Sequence, residues 1–351
     1  MPIVDDESHL HDDELTSKFQ NHFSMSGNGR IIDSYGNYWY IAQENELLSF
    51  ISLLENNVGI PIGRILHNSA ADSFELILSP LMNVNFGFFG KKKRSKLLNG
   101  YWDTFGWGAY NAKEHSIISN VFPSIISGFY LSLTEFEQGH RYRIQWKQLG
   151  DNIVKCELEK IDRQISPPQE ILPMPWANKK MNQDTGLDVL LERQDVGWSI
   201  NGRISYVLPC DMMNRIIFNL GGHVGQVPSK VSDAWLLTGF DERIHESFSQ
   251  FVQSQKELFL RGDDFVYLND QNDWDSVILT HLMPYGLGSV KFLKSQDDID
   301  YFSVNLEPNA PMVIGKLSGI WERANGKESS CQIHLTDTEM NLKIRSRLDF
   351  I

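Results

Sequence analysis

Apolar residues recur at helical spacing in several stretches of the chain. Leu47, Ile51, Leu54 and Val58 fall on one helical face in a segment opened by Tyr40-Ile41. Met213, Ile216, Ile217 and Leu220 do the same in a segment opened by Tyr206-Val207, with Asp211 as its expected N-cap. A third stripe, Ile244, Phe248, Phe251, Val252 and Phe259, has the same period and reads as core packing. Elsewhere the period is two. Tyr142, Ile144 and Trp146 alternate with Arg141, Arg143 and Lys147; after a Leu-Gly-Asp-Asn turn, Val154, Cys156 and Leu158 alternate with Lys155, Glu157 and Glu159. Near the C-terminus Cys331, Ile333 and Leu335 are followed by Met340, Leu342, Ile344 and Leu348, alternating with Asn341, Lys343, Arg345 and Arg347. Such alternation marks antiparallel strands with one wet face. The pattern therefore predicts an α+β fold in which helices pack on antiparallel sheets that end in β-hairpins.

The same pattern is written twice. Pro123, Gly128, Glu135, Gly139 and Gln145 are matched in order and nearly in spacing by Pro311, Gly315, Glu322, Gly326 and Gln332. Upstream of each lies an aromatic followed by Gly-x-Gly, as Phe105-Gly106-Trp107-Gly108 and Tyr285-Gly286-Leu287-Gly288. Internal similarity of this kind predicts two related domains, residues 30–163 and 197–351. An acidic N-terminal tail, 1–29, would precede them. A connector, 164–196, whose start contains Pro167, Pro168, Pro173 and Pro175, would join them as an extended segment. The second copy is longer, and the stretch Arg261 to Trp274, with Asp263, Asp264, Asp270 and Asp273, is the expected insertion.

A helix, an aromatic-Gly-x-Gly element, a Gly-rich Pro-x-Gly-x-Glu-x-Gly strand region and a terminal hairpin together resemble the 4-vinyl reductase (V4R) type of small-molecule-binding domain. The best match is Tyr285 to Leu335, especially Ala310-Pro311, Gly315, Gly319, Trp321, Glu322, Gly326 and Glu328 to Cys331. The resemblance implies ligand sensing, a tetrapyrrole-associated role or, as in related trafficking subunits, protein assembly. Sensor members of that family bind zinc through a cysteine cluster. Only Cys331 stands near the expected place, so no zinc or other metal is expected and no cofactor is assigned. Trp102, Phe105, Trp107, Tyr285 and Trp321 would line the pocket; core packing is the other role open to them.

Composition narrows the alternatives. The 351 residues carry a formal net charge of -13, to which Asp5, Asp6, Glu7, Asp12, Asp13 and Glu14 contribute, with no Lys or Arg among residues 1–14. An acidic balance without a basic stripe argues against nucleic acid as a partner. The run Lys91-Lys92-Lys93-Arg94 reads as a solvated turn or as a contact with an anionic surface. Cys156, Cys210 and Cys331 lack CxxC spacing and read as reduced thiols, and no run is long and apolar enough for a membrane span, so a cytoplasmic location is expected. His245-Glu246 lacks the second His of a zincin, and His9 and His11 sit in the acidic tail. No P-loop, complete GxGxxG or GxSxG occurs. Glu135 and Glu322 are the acid/base candidates, although recurrence at equivalent places favours a structural role.

The expectation is a non-enzymatic small-molecule-binding or sensory module with a hydrophobic, aromatic-lined pocket. The alternatives are a scaffold acting through a protein partner or a homodimer, and an enzyme using a buried Glu.

Overall fold

A computed structural model describes residues 11–347 apart from 28, 85–89, 163–173, 178–183, 186–188, 224–230, 232, 269 and 271. His9, most of the prolines of the connector and Leu348 lie outside the described residues.

The first half begins with α1 (Asp13–His22) and a meander of β1 (Phe23–Ser26), β2 (Ile31–Asp33) and β3 (Tyr38–Gln43). Helices α2 (Glu44–Val58), α3 (Gly63–Leu78) and α4 (Gly90–Phe105) follow, then β4 (Ala109–Asn111), β5 (Ser116–Ile118), α5 (Pro123–Gln138), β6 (Tyr142–Gln148) and β7 (Ile153–Lys160). After the short strands β8 (Asp184–Thr185) and β9 (Glu192–Arg193), the order recurs: β10 (Trp198–Ile200), β11 (Arg203–Pro209), α6 (Cys210–Gly221), α7 (Glu242–Arg261), α8 (Asp273–His281), β13 (Val290–Gln296), β14 (Ile299–Asn305), α9 (Ala310–Asn325), β15 (Ser329–Leu335) and β16 (Glu339–Ser346), with β12 (Trp235–Thr238) between α6 and α7.

The strands form three sheets. The largest has the order β8-β1-β2-β3-β11-β10-β9, the second β12-β15-β16-β14-β13 and the third β4-β5-β7-β6. Neighbours are antiparallel except β12, which runs parallel to β15 with Trp235 opposite Cys331. Both hairpins expected from the alternation are present, with Ile144 facing Leu158 and Ile333 facing Leu342. The α+β class is the one the pattern predicts.

Several expectations are corrected. Tyr40-Ile41 and Tyr206-Val207 are strand, not helix, and pair with each other's neighbourhood at the centre of the largest sheet, Ile41 opposite Val207. The Gly-rich Pro-x-Gly-x-Glu-x-Gly region is helix in both halves, because proline stands in its first turn and Gly139 or Gly326 takes the left-handed conformation that ends it. Asp211 is inside α6 rather than its N-cap, which is Pro209. The N-terminal segment is no solvated tail beyond residue 11, since Leu15, Phe19 and Phe23 are buried and β1 joins the large sheet. Within the connector Trp176 is fully buried, donates to Asn214 Oδ1 at 3.0 Å, and packs on Phe248. The extra length of the second half lies between its first two helices, not at 261–274: only residues 59–62 separate α2 from α3, whereas 222–241 separate α6 from α7.

The halves interlock, and the boundaries at 163 and 197 do not delimit separately packed bodies. One continuous hydrophobic core runs through both. The helix that follows the central strand in each half packs on the next helix of the other, α2 on α7 through Phe50 and Phe251 (5.1 Å between rings) and α6 on α3.

Candidate functional site

Where the halves cross, a cavity of about 230 Å³ opens. One wall is the β3–α2 junction, with Ile41, Gln43, Glu46, Leu47 and Phe50. The opposite wall comes from the second half: Gln255, Leu258 and Phe259 at the end of α7, Tyr285 and Leu287 from the Gly-x-Gly turn, and Met312 and Lys316 from α9. Met213 of α6 completes the lining, with Arg261 at the last residue of α7 and Asp264 just beyond it.

Local chemistry fixes these walls. Helix α9 buries Met312, Val313, Ile314, Leu317 and Ile320, and Gly315 allows α7 to approach, since a Cβ there would lie 2.5 Å from the Val252 carbonyl oxygen. The turn that presents Tyr285 and Leu287 is held by Asn309 Nδ2, which donates to the Gly286 oxygen at 2.9 Å. Gly288 adopts φ +82°, the left-handed region.

Lys316 is the half-buried cation of an otherwise mostly apolar lining. Its Nζ lies 4.3 Å from the centre of the Tyr285 ring. Among the described residues no carboxylate comes within 4.0 Å of it. Burial pushes its pKa down from the ordinary lysine value, against the pull of Glu46 and Asp264, and burial likewise raises that of Tyr285.

The corresponding place in the first half is full. On the repeat read from the sequence, Phe105, Trp107 and Phe129 stand where the second half has Tyr285, Leu287 and Lys316. There Trp107 stacks on Phe129 at 4.1 Å and meets Phe105 at 5.0 Å and Phe74 at 5.1 Å. Its indole donates to the Val207 oxygen at 2.8 Å.

The expected lining residues are thus divided. Tyr285 lines the cavity. Trp102, Phe105 and Trp107 come together, but as fully buried core that leaves no space between them. Trp321 is buried elsewhere and donates to Asp300 Oδ2 at 2.7 Å. The reason is size: indoles fill the first half's space, and the second half has Leu and Lys at two of the three positions. Lys316, Gln43, Gln255 and Glu46 were not singled out by sequence reasoning. A lysine inside the run Ala310 to Trp321, whose other residues are apolar or small, is the signal that points to Lys316.

Glu135 and Glu322 do equivalent jobs. Glu135 accepts from the Tyr142 backbone N–H at 2.7 Å and pairs with Arg141, which also holds Glu75. Glu322 accepts from the Ser329 N–H and hydroxyl, both at 2.7 Å, and from Lys256 at 2.9 Å. Each ties the last turn of a helix to the first residues of the next strand. Burial raises the Glu135 pKa, opposed by these donors.

The three cysteines are buried and unpaired; burial pushes the Cys156 thiol up to about 12 and that of Cys331 to about 11. Among the described residues no three His, Cys, Asp or Glu side chains are grouped to hold a metal, and no helix is long and apolar enough to cross a membrane. No family model, curated protein or solved structure matches the chain.

Proposed function

We propose that the chain is a non-enzymatic small-molecule-binding protein, built from a duplicated V4R-like unit, whose one working pocket is the cavity between β3–α2 and α7–α9. The observation that carries this reading is the asymmetry of the two halves: aromatic rings close the space in one, and Leu287 and Lys316 leave it open in the other. An apolar cavity with a few converging polar groups is the usual form of a ligand site. The glutamates considered as acid/base residues already serve in helix-to-strand contacts, which favours binding over catalysis.

The test compares the native and denatured masses of the freshly purified protein, with a cavity-filling variant, Leu47→Trp, alongside. Extra mass retained by the wild type and absent from Leu47→Trp is the expected result. Apo protein that binds nothing in a screen of small apolar compounds, with a Leu47→Trp variant of unchanged behaviour, would overturn the reading.

A second reading, assembly with a protein partner, has one observation in its favour. Phe265 and Tyr267, 78% and 76% exposed, stack side by side on the segment that follows α7. Replacing both by Ser would break a complex formed there and leave the cavity unaltered.

A further inference from the structure

Building on the proposed binding site, we infer that the cavity takes an apolar aldehyde or ketone and that Lys316 holds it as a reversible Schiff base. Four features of the site lead to this ligand class. First, the amine faces an apolar cavity and makes no ion pair among the described residues, so its lone pair is not committed to a carboxylate. Second, its neighbour on the same wall is the face of Tyr285, with Phe259, Leu287 and Met312 as further apolar lining. Burial disfavours the ammonium form and so moves the amine toward its nucleophilic neutral form. Third, with the amine neutral the other ionisable groups of the lining are Arg261 against Glu46 and Asp264. That acidic excess repels an anion and suits an uncharged ligand better. Fourth, those carboxylates and the Tyr285 hydroxyl are groups able to move the protons that imine formation requires.

The step balances without any further reactant. The neutral Nζ attacks the carbonyl carbon, forming the C–N bond as the C=O π pair moves to oxygen. A proton passes from nitrogen to that oxygen, giving a carbinolamine. A second proton, delivered to the hydroxyl, lets the C–O bond break and water depart, and loss of the remaining N–H proton leaves the imine. Hydrolysis by the same path releases the ligand.

The probes are octanal and octanol, with borohydride to reduce any imine to a stable secondary amine. In the full-length protein, octanal at equimolar concentration should become trapped on Lys316, found by peptide mapping, in at least about tenfold preference to any exposed lysine. Lys316→Arg should abolish that adduct while unfolding as cooperatively as the wild type, and the wild type should bind octanol, detected by a change in thermal midpoint, which shows that the pocket takes an apolar ligand. Octanol binding by the wild type with octanal trapped indiscriminately, or not at all, would overturn the Schiff base and leave the pocket standing. Failure of both probes to bind would overturn the Schiff base and count against the pocket as well.

Discussion

At the residue scale, two buried polar groups carry measurable consequences. His67 is 1% exposed, lies against Trp146 in a stacked arrangement at 4.4 Å, and has its Nδ1 2.9 Å from the Ser127 hydroxyl. Burial is the main cause, and Arg64 the second, of a pKa lowered to about 4. The unfolded chain takes up this proton near pH 6.5 and the folded chain only near 4. The stabilising contribution is therefore complete above pH 6.5 and is lost as pH falls toward 4. The difference corresponds to about 3 kcal/mol. Urea denaturation across that window is expected to show the wild type losing this amount relative to His67→Gln, in which no imidazole titrates. Parallel pH profiles for the two proteins would contradict it. Glu322 gives a second case. Its pair with Lys256 is more than nine-tenths buried on both sides. Glu322→Gln keeps an acceptor for the Ser329 N–H but leaves the ammonium without its anion, which should cost about 3 kcal/mol of stability. The double variant Glu322→Gln with Lys256→Met, which removes the stranded charge, is expected to recover a good part of that loss in the same denaturation measurement.

At the scale of elements, the turn of the Gly-x-Gly motif is the most demanding piece of backbone. Gly108 has φ +82°, and a Cβ placed on it would stand 2.1 Å from the Ile118 carbonyl oxygen, which belongs to the strand paired with β4. Gly108→Ala therefore faces both an unfavourable conformation and a clash with main chain that cannot swing away. A loss of about 3 kcal/mol is expected from chemical denaturation; a loss below about 1 kcal/mol would mean that the β4–β5 hairpin yields easily. The same motif shows what sequence could and could not reveal. The two hairpins were legible because Ile144, Val154, Ile333 and Leu342 alternate cleanly with polar residues. Helices α5 and α9 were mistaken for strand regions because their glycines and prolines look like breakers when counted, although Pro in the first turn and Gly just past the last are helix boundaries when placed. Strand β3 was hidden by being buried on both faces: Tyr38 to Ala42 are all buried, so nothing alternates. The acids around residues 12–14 concealed Leu15 and Phe19, which anchor α1. As for the site, Tyr285 was legible as an aromatic beside Gly-x-Gly. The cavity was not, because it arises where β3 and α2 of one half meet α7 and α9 of the other, a meeting that no local pattern encodes.

At the scale of the whole molecule, the question is whether the two halves can exist apart. The hydrogen bonds at the centre of the large sheet run between β3 and β11, Tyr40 opposite Leu208 and Ala42 opposite Tyr206. Each half also inserts into the other: Trp198 donates to the Thr104 oxygen at 3.1 Å, Trp107 to that of Val207 at 2.8 Å, and the Gly288 N–H to that of Gly29 at 3.2 Å. Arg30 of the first half and Glu307 of the second form a buried ion pair. Separating the halves would strand those charges and turn β3 into an edge with unpaired donors, besides exposing Phe50, Ile41 and Val207. The intact protein is accordingly expected to unfold in one cooperative transition, with far-ultraviolet circular dichroism and tryptophan fluorescence giving coincident curves. Residues 1–163 expressed alone should show no cooperative transition at all. The cavity belongs to the same argument, since its walls come from both halves and a ligand seated in it would join them further. Its binding should raise the single midpoint rather than split it, because stabilisation by mass action acts on whatever unit unfolds. Two resolved transitions, only one of them shifted by ligand, would mean that each half keeps a core of its own and that the shared sheet is a contact between domains rather than the spine of one.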